Sequence, residues 1–187
     1  MIVMKKNFEI PDGVEVAVSG MEVTVRGPKG ELRRNFDDPR FSGEIEIGAS
    51  GKEFWAKARS ERKAMRAMAG TISGHIRNMC TGVTKGYRWT MKIVYTHFPI
   101  TVSVRGNEVE VKNFLSEKGV RKARIMEGAK VEAGKEAIII TGNDIESVSQ
   151  TAANIERSCS LTRRDRRIFV DGIYVSERAL ATGEGLR

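Results

Sequence analysis

The sequence predicts an α+β protein made of two tandem, duplicated domains, each a small, mostly antiparallel sheet packed on one main helix. Three observations predict it. Valines alternate with polar residues in "VAVSGMEVTVR" (16–26) and in "VSVRGNEVEVK" (102–112), the period of a half-buried strand. The two stretches coincide at a constant offset of 86 residues, which marks an internal repeat. Each is followed further on by one segment of helical period, and "HIRNMC" (75–80) aligns with "NIERSC" (154–159) at an offset of 79. The expected domains are residues 1–95 and 96–187, joined near "RWTMKIVYTHFP".

Taken in order, Gly20 beside Met21 turns the first strand back on the second, as Gly106 beside Asn107 does in the other copy. "GPKGEL" (27–32) is a further turn signal: Pro28 presets φ, Gly30 relieves the far corner, and Lys29 is expected at a solvent-facing tip. "GEIEIG" and "EFWAKARS" read as strands in the first copy, and "AKVEAG" and "EAIIITG" as strands in the second.

The first helix is expected after Ser60, as N-cap, with Met65, Met68, Ala69, Ile72, Ile76, Met79, Cys80 and Val83 as its core stripe. Gly70 and Gly74 suggest that another backbone comes close there, and close packing on the sheet is the favoured reading. In the second copy, Asn143 with Glu146 resembles a capping box, followed by Ile145, Val148, Ala152, Ile155 and Cys159 as the buried stripe ending near Ser160. Cys80 and Cys159 sit at apolar positions and are expected to be reduced, buried thiols.

The chain has 187 residues and a net charge of +8, which favours a polyanionic partner, nucleic acid first. The longest clean apolar run, "AIII" (137–140), is far too short to span a bilayer, and "MIVMKKNFEIPDG" has no stretch apolar enough for a signal peptide. A cytoplasmic protein without a membrane partner is expected. Residues 52–92 carry ten basic side chains against two acidic ones, an excess equal to that of the whole chain. A second basic focus is the C-terminal run "RRDRRIFVDGIYVSE" (163–177).

Enzyme chemistry finds no support. Around "GASGKEF" (48–54), Glu46, five residues before Gly51, stands where a phosphate loop needs its first glycine and Glu53 where it needs a hydroxyl. "SERK" (60–63) lacks the companion motifs of acyl-transfer enzymes, and a cap followed by a basic face already explains it. Two histidines and two separated cysteines give no metal-ligand spacing. No cofactor, metal or catalytic residue is expected.

Binding chemistry is present. Arg163, Arg164, Arg166 and Arg167 place four planar guanidinium forks within five positions, suited to phosphates or unpaired bases of a folded RNA, with Asp165 orienting one neighbour. Asp171-Gly172 then predicts a hairpin that would hold them on a rigid base. Arg121, Lys122 and Arg124 flank this cluster. In "GVTKGYRW" (82–89), Lys85, Gly86, Tyr87 and Arg88 form a second candidate site, where Tyr87 and Trp89 either stack bases or seal the domain junction. The first domain is expected to make weaker contacts or to face a protein neighbour. A free RNA chaperone or transfer-RNA-binding factor, a nuclease or RNA-modifying enzyme, and an adaptor for acidic proteins are the rival readings.

"MEVTVRGPKGEL" (21–32), the duplication, "GVTKGY" and above all "RRIFVDGIYVSE" resemble the large ribosomal subunit protein six family, in its archaeal and eukaryotic branch, over almost the whole chain. The resemblance implies a non-enzymatic constituent of the large ribosomal subunit that binds large-subunit ribosomal RNA mainly through its second domain. It further implies a place at the base of the lateral stalk, beside the sarcin-ricin loop, with ribosomal proteins as neighbours and translational GTPases nearby. The positions it carries over are Arg163, Arg164, Arg166 and Arg167, with Lys85, Gly86 and Tyr87. "RALATGEGLR" (178–187) matches nothing in the family pattern.

Overall fold

A computed structural model describes residues 4–41, 43–161, 165 and 167–185. In chain order its elements are β1 (Met4–Glu9), β2 (Glu15–Ser19), β3 (Glu22–Gly27), β4 (Gly30–Asn35), β5 (Ile45–Ser50), β6 (Glu53–Ala58) and α1 (Lys63–Thr84). They continue with β7 (Tyr87–Val94), β8 (Thr101–Arg105), β9 (Glu108–Lys112), β10 (Arg121–Arg124), β11 (Ala129–Ala133), β12 (Ala137–Gly142), α2 (Ile145–Ser158) and β13 (Gly172–Leu180). The α+β architecture and the repeat are as the sequence predicts. Hairpins β2–β3 and β8–β9 start and turn at positions 86 residues apart, with Gly20 and Gly106 at φ +62° and +57° supplying the left-handed turn.

The chain divides into two units after Lys85. The expected join at residues 95 and 96 falls ten residues too late. The reason is β7: it pairs with β12 on one side and β13 on the other, so "YRWTMKIV" is the central strand of the second unit rather than a linker.

The first unit holds two three-stranded antiparallel sheets, in the orders β1-β6-β5 and β2-β3-β4, with α1 packed on β3, β6 and β1. Period 2 on the strands and period 3.6 on the helix meet in one core, where Val23, Val25, Phe54, Ala69, Ile72 and Ile76 are buried. Burial of each large apolar side chain contributes about 1.5–3 kcal/mol. The second unit has a three-stranded sheet, β10-β9-β8, and a four-stranded sheet, β11-β12-β7-β13, with α2 against both. Its core gathers Met91, Val109, Val111, Ile138, Ile140, Ile155 and Ile173.

Three local expectations are corrected and a fourth, the exposure of Lys29, is met and extended. Helix α1 begins at Lys63, with Arg62 at the cap position and no side-chain cap; Ser60 Oγ accepts only a long bond from Arg62 N–H at 3.4 Å. Gly70 and Gly74 do not pack on a sheet, since a Cβ at either would meet nothing within 4 Å. Helix α2 is capped by Asp144 rather than Asn143, because the Asp144 carboxylate accepts the free N–H groups of Glu146 and Ser147 at 3.1 and 3.2 Å. Lys29 is exposed but not idle. Its N–H donates to Val83 O at 2.9 Å and its ammonium to Lys85 O, so the β3–β4 turn satisfies carbonyls at the end of α1.

Candidate nucleic-acid interface

Of the C-terminal arginines, Arg163, Arg164 and Arg166 lie outside the described residues. Arg167 is described, and the expected ion pair with Asp165 is present: its Nη2 lies 2.7 Å from Oδ2 and its backbone N–H 2.9 Å from Oδ1. The Arg167 hydrogen bonds hold the Asp165 carboxyl below its usual range. The guanidinium remains open to solvent, with 89% of the side chain accessible.

The Asp171-Gly172 hairpin does not form. Residues 168–170 belong to no strand and are exposed, and Gly172 opens β13 directly, opposite Val94 of β7. The aspartate has another use. Buried to 6% exposure, its carboxylate accepts the N–H and the hydroxyl of Thr96, each at 2.9 Å. This clamp fixes Asp171, and hence the start of β13, against the loop after β7.

On β10 the three candidates part ways because a strand alternates its faces. Arg121 points inward. Its guanidinium lies 4.4 Å over the Phe114 ring, pairs with both carboxylate oxygens of Glu117 at 2.8 and 2.9 Å, and donates to Ser158 O at 2.8 Å and Ser160 O at 3.2 Å. It closes the C-terminal carbonyls of α2, and its hydrogen bonds to Glu117 raise an already high pKa. Arg121 is therefore a structural residue. Lys122 and Arg124 take the other face and are exposed. Lys122 Nζ is 2.8 Å from Glu108 Oε2, whereas Arg124 has no ion pair among the described residues. Glu110, only 8% exposed, sits between Arg105 and Lys112, 3.4 Å from each.

Lys85 closes the first unit and is exposed, while Gly86, at φ +71°, opens the second and accepts the Ala181 N–H at 2.9 Å. Tyr87 is 1% exposed within the second core, as Trp89 is at 8%, so neither ring is available to stack a base; burial overturns the stacking reading. Arg88 follows on the opposite face of β7 and is exposed. Lys92 shares that face four residues on, and sequence reasoning missed it. The signal was the strict alternation of "YRWTMKIV", hidden while this stretch was read as a junction.

Among the described residues, no group of three or more His, Cys, Asp or Glu is placed to hold a metal, and no helix is long and apolar enough to cross a membrane. What the second unit offers is a set of exposed cations on rigid strands: Arg88 and Lys92 on one sheet, Lys122 and Arg124 on the other. Such groups neutralise phosphates.

A family model described as ribosomal protein L6 matches residues 10–86 and again 98–172, so the repeat is matched copy by copy. The chain is 46% identical over 179 residues to the large ribosomal subunit protein uL6 of Sulfurisphaera tokodaii, covering 96% of this chain and 95% of the relative. With the protein of the same name from Aeropyrum pernix, identity is 48% over 175 residues, covering 92% and 93%. With that of Methanospirillum hungatei it is 46% over 176 residues, covering 94% and 98%.

Proposed function

The chain belongs to the ribosomal protein L6 family, and on that premise we propose that it binds large-subunit ribosomal RNA through exposed cations of its second unit. It is a structural protein of the large ribosomal subunit, cytoplasmic and without enzymatic role, whose partners are ribosomal RNA and other ribosomal proteins. The observation that carries the binding surface is the pairing pattern. Arg88, Lys92 and Arg124 are exposed and have no ion pair among the described residues, while Arg121 is fully engaged within the fold. Arg163, Arg164, Arg166 and Arg167 join this surface on the strength of the motif "RRIFVDGIYVSE", and Lys85 on that of "GVTKGY". Lys122 contributes through an ammonium that its solvent-facing pair with Glu108 does not bury.

The contacts are expected to be to phosphates and 2′-hydroxyls of a folded RNA, because Tyr87 and Trp89, the rings beside Arg88, are in the core. The family likeness further supports a position at the base of the lateral stalk near the sarcin-ricin loop, within reach of translational GTPases. The test is sedimentation of the tagged chain on a sucrose gradient after a high-salt wash, in parallel with Arg88→Ala, Lys92→Ala and Arg124→Ala combined. Native chain travelling with the large subunit, and variant chain washed free, is the expected result. Native chain left at the top of the gradient overturns the reading, and the variant resisting the wash as the native chain does overturns the surface.

A further inference from the structure

We propose that the exposed face of α1 is a second, independent docking surface for the sugar-phosphate backbone of structured RNA. It rests on the ribosomal RNA reading above but involves the first unit alone.

The argument begins with charge and its placement. Helix α1 has 22 residues, among them Lys63, Arg66 and Arg77, and not one Asp or Glu. Its N-terminal end has Arg62 at the cap, cations at Lys63 and Arg66, and no acidic residue in the first turn. Cations at that end oppose the helix dipole, so this arrangement lowers the stability of the free protein. The repeat supplies an internal control. Helix α2, its counterpart, has an aspartate cap, Glu146 in the first turn and Arg157 in the last, the order the dipole favours. A helix serving only the fold would be expected to look like α2.

Pairing separates the face further. On the sheet side of the first unit, five cations meet carboxylates, Arg26 with Glu31 at 2.9 Å, Lys52 with Asp12 and Arg40 with Asp38 at 2.6 Å, Arg33 with Glu22, and Arg59 with Glu46, while Lys57 lies over the Trp55 ring at 4.1 Å. Arg62, Lys63 and Arg66 have no ion pair among the described residues. Arg77 lies over the Phe8 ring at 5.6 Å, which orients the guanidinium without neutralising it. The nearest acid in sequence, Glu61, precedes the helix.

Geometry then selects the occupant. Arg66 and Arg77 are eleven residues apart, three turns, and so stand on one side of the helix about 16 Å apart. Gly70 and Gly74 lie between them, with open space where a side chain would project. Cations around a bare stretch of helix match a chain of phosphates that comes close to the helix backbone. The sugar-phosphate strands that flank the wide, shallow minor groove of folded RNA present such chains.

The test uses the full chain and protein-free large-subunit ribosomal RNA, with affinity measured across a salt series. Lys63→Ala, Arg66→Ala and Arg77→Ala combined should lower the slope of log affinity against log salt by about three, one per lost phosphate contact, with melting temperature held or raised. Gly74→Leu is the second variant. Leucine is the better helix former and meets nothing there, so stability should hold or rise while affinity falls on the order of tenfold by obstruction. Native affinity and slope in both variants overturn the inference and leave the face to a protein neighbour. The combined Arg88, Lys92 and Arg124 variant separates the two proposals: if it alone weakens binding, only the α1 surface fails, and if neither set does, the RNA reading itself is wrong.

Discussion

The carboxylate of Asp171 accepts two hydrogen bonds from Thr96, one from the backbone N–H and one from the hydroxyl, joining positions 75 residues apart in sequence. It explains why an Asp-Gly pair that reads as a hairpin turn starts a strand instead: the side chain that would stabilise a turn locally is captured at long range. Hydrogen bonds to a buried carboxylate contribute about 1.5–3 kcal/mol, and removing the group leaves the Thr96 donors unpaired. Asp171→Ala is expected to lower unfolding free energy by about 2–3 kcal/mol in urea titration. Asp171→Asn keeps an acceptor and should lose less. An unchanged midpoint for the alanine variant would show that the clamp does not hold β13.

Arg121 makes a similar case against reading every arginine as an RNA contact. Its guanidinium bridges Glu117, the carbonyls of Ser158 and Ser160, and the face of Phe114. Arg121→Ala should destabilise the protein by about 2 kcal/mol, the sum of a lost helix cap and a lost stacked cation. Arg121→Lys should not restore it, because an ammonium lacks the planar fork that serves these partners together. Salt dependence of RNA affinity should stay native in both, and a reduced slope would return Arg121 to the binding surface.

The hairpins, the strand alternation and the apolar stripes of both helices were legible because each depends on a period within one segment. The caps were not. Asn143 and Asp144 are adjacent and both are good caps, and Ser60 offers the same hydroxyl as a true cap, so only the backbone angles decide which side chain meets the helix amides. The site was legible as a distribution of charge but not as a set of free groups. Whether a cation is paired depends on cross-strand neighbours such as Glu108 opposite Arg124 and diagonal to Lys122, which sequence distance conceals. The sequence leaves Tyr87 between stacking and burial for a related reason: the strand it opens has its partners at residues 137–142 and 172–180.

The two cysteines give a prediction about pH. Both are free and buried, and burial pushes the Cys80 thiol up to about 11 and the Cys159 thiol upward as well. An unfolded cysteine ionises near about 8.5. The fold favours the neutral thiol, so this stabilisation is complete below that value and is lost as pH rises through the folded value. Unfolding free energy should therefore decline between about pH 8.5 and 11. At pH 8 a disulfide reagent should react slowly with native protein and promptly with two thiols in denaturant. Prompt reaction of both thiols in the native state would contradict their burial.

The helix caps offer a paired comparison. Asp144 accepts two backbone amides and the Ser147 hydroxyl, at 3.0–3.2 Å, whereas Ser60 accepts one amide at 3.4 Å and precedes the first helical residue by three positions. Loss of a working cap costs about 1 kcal/mol, with a range of about 0.5–2. Substitution of an exposed side chain without such a role stays within about 0.5 kcal/mol. Asp144→Ala should therefore shift the urea midpoint and speed hydrogen exchange at the amides of Glu146 and Ser147, while Ser60→Ala should do neither to α1. If Ser60→Ala proved as costly as Asp144→Ala, α1 would begin one turn earlier than Lys63, and its cationic first turn would lie inside the helix rather than at its end.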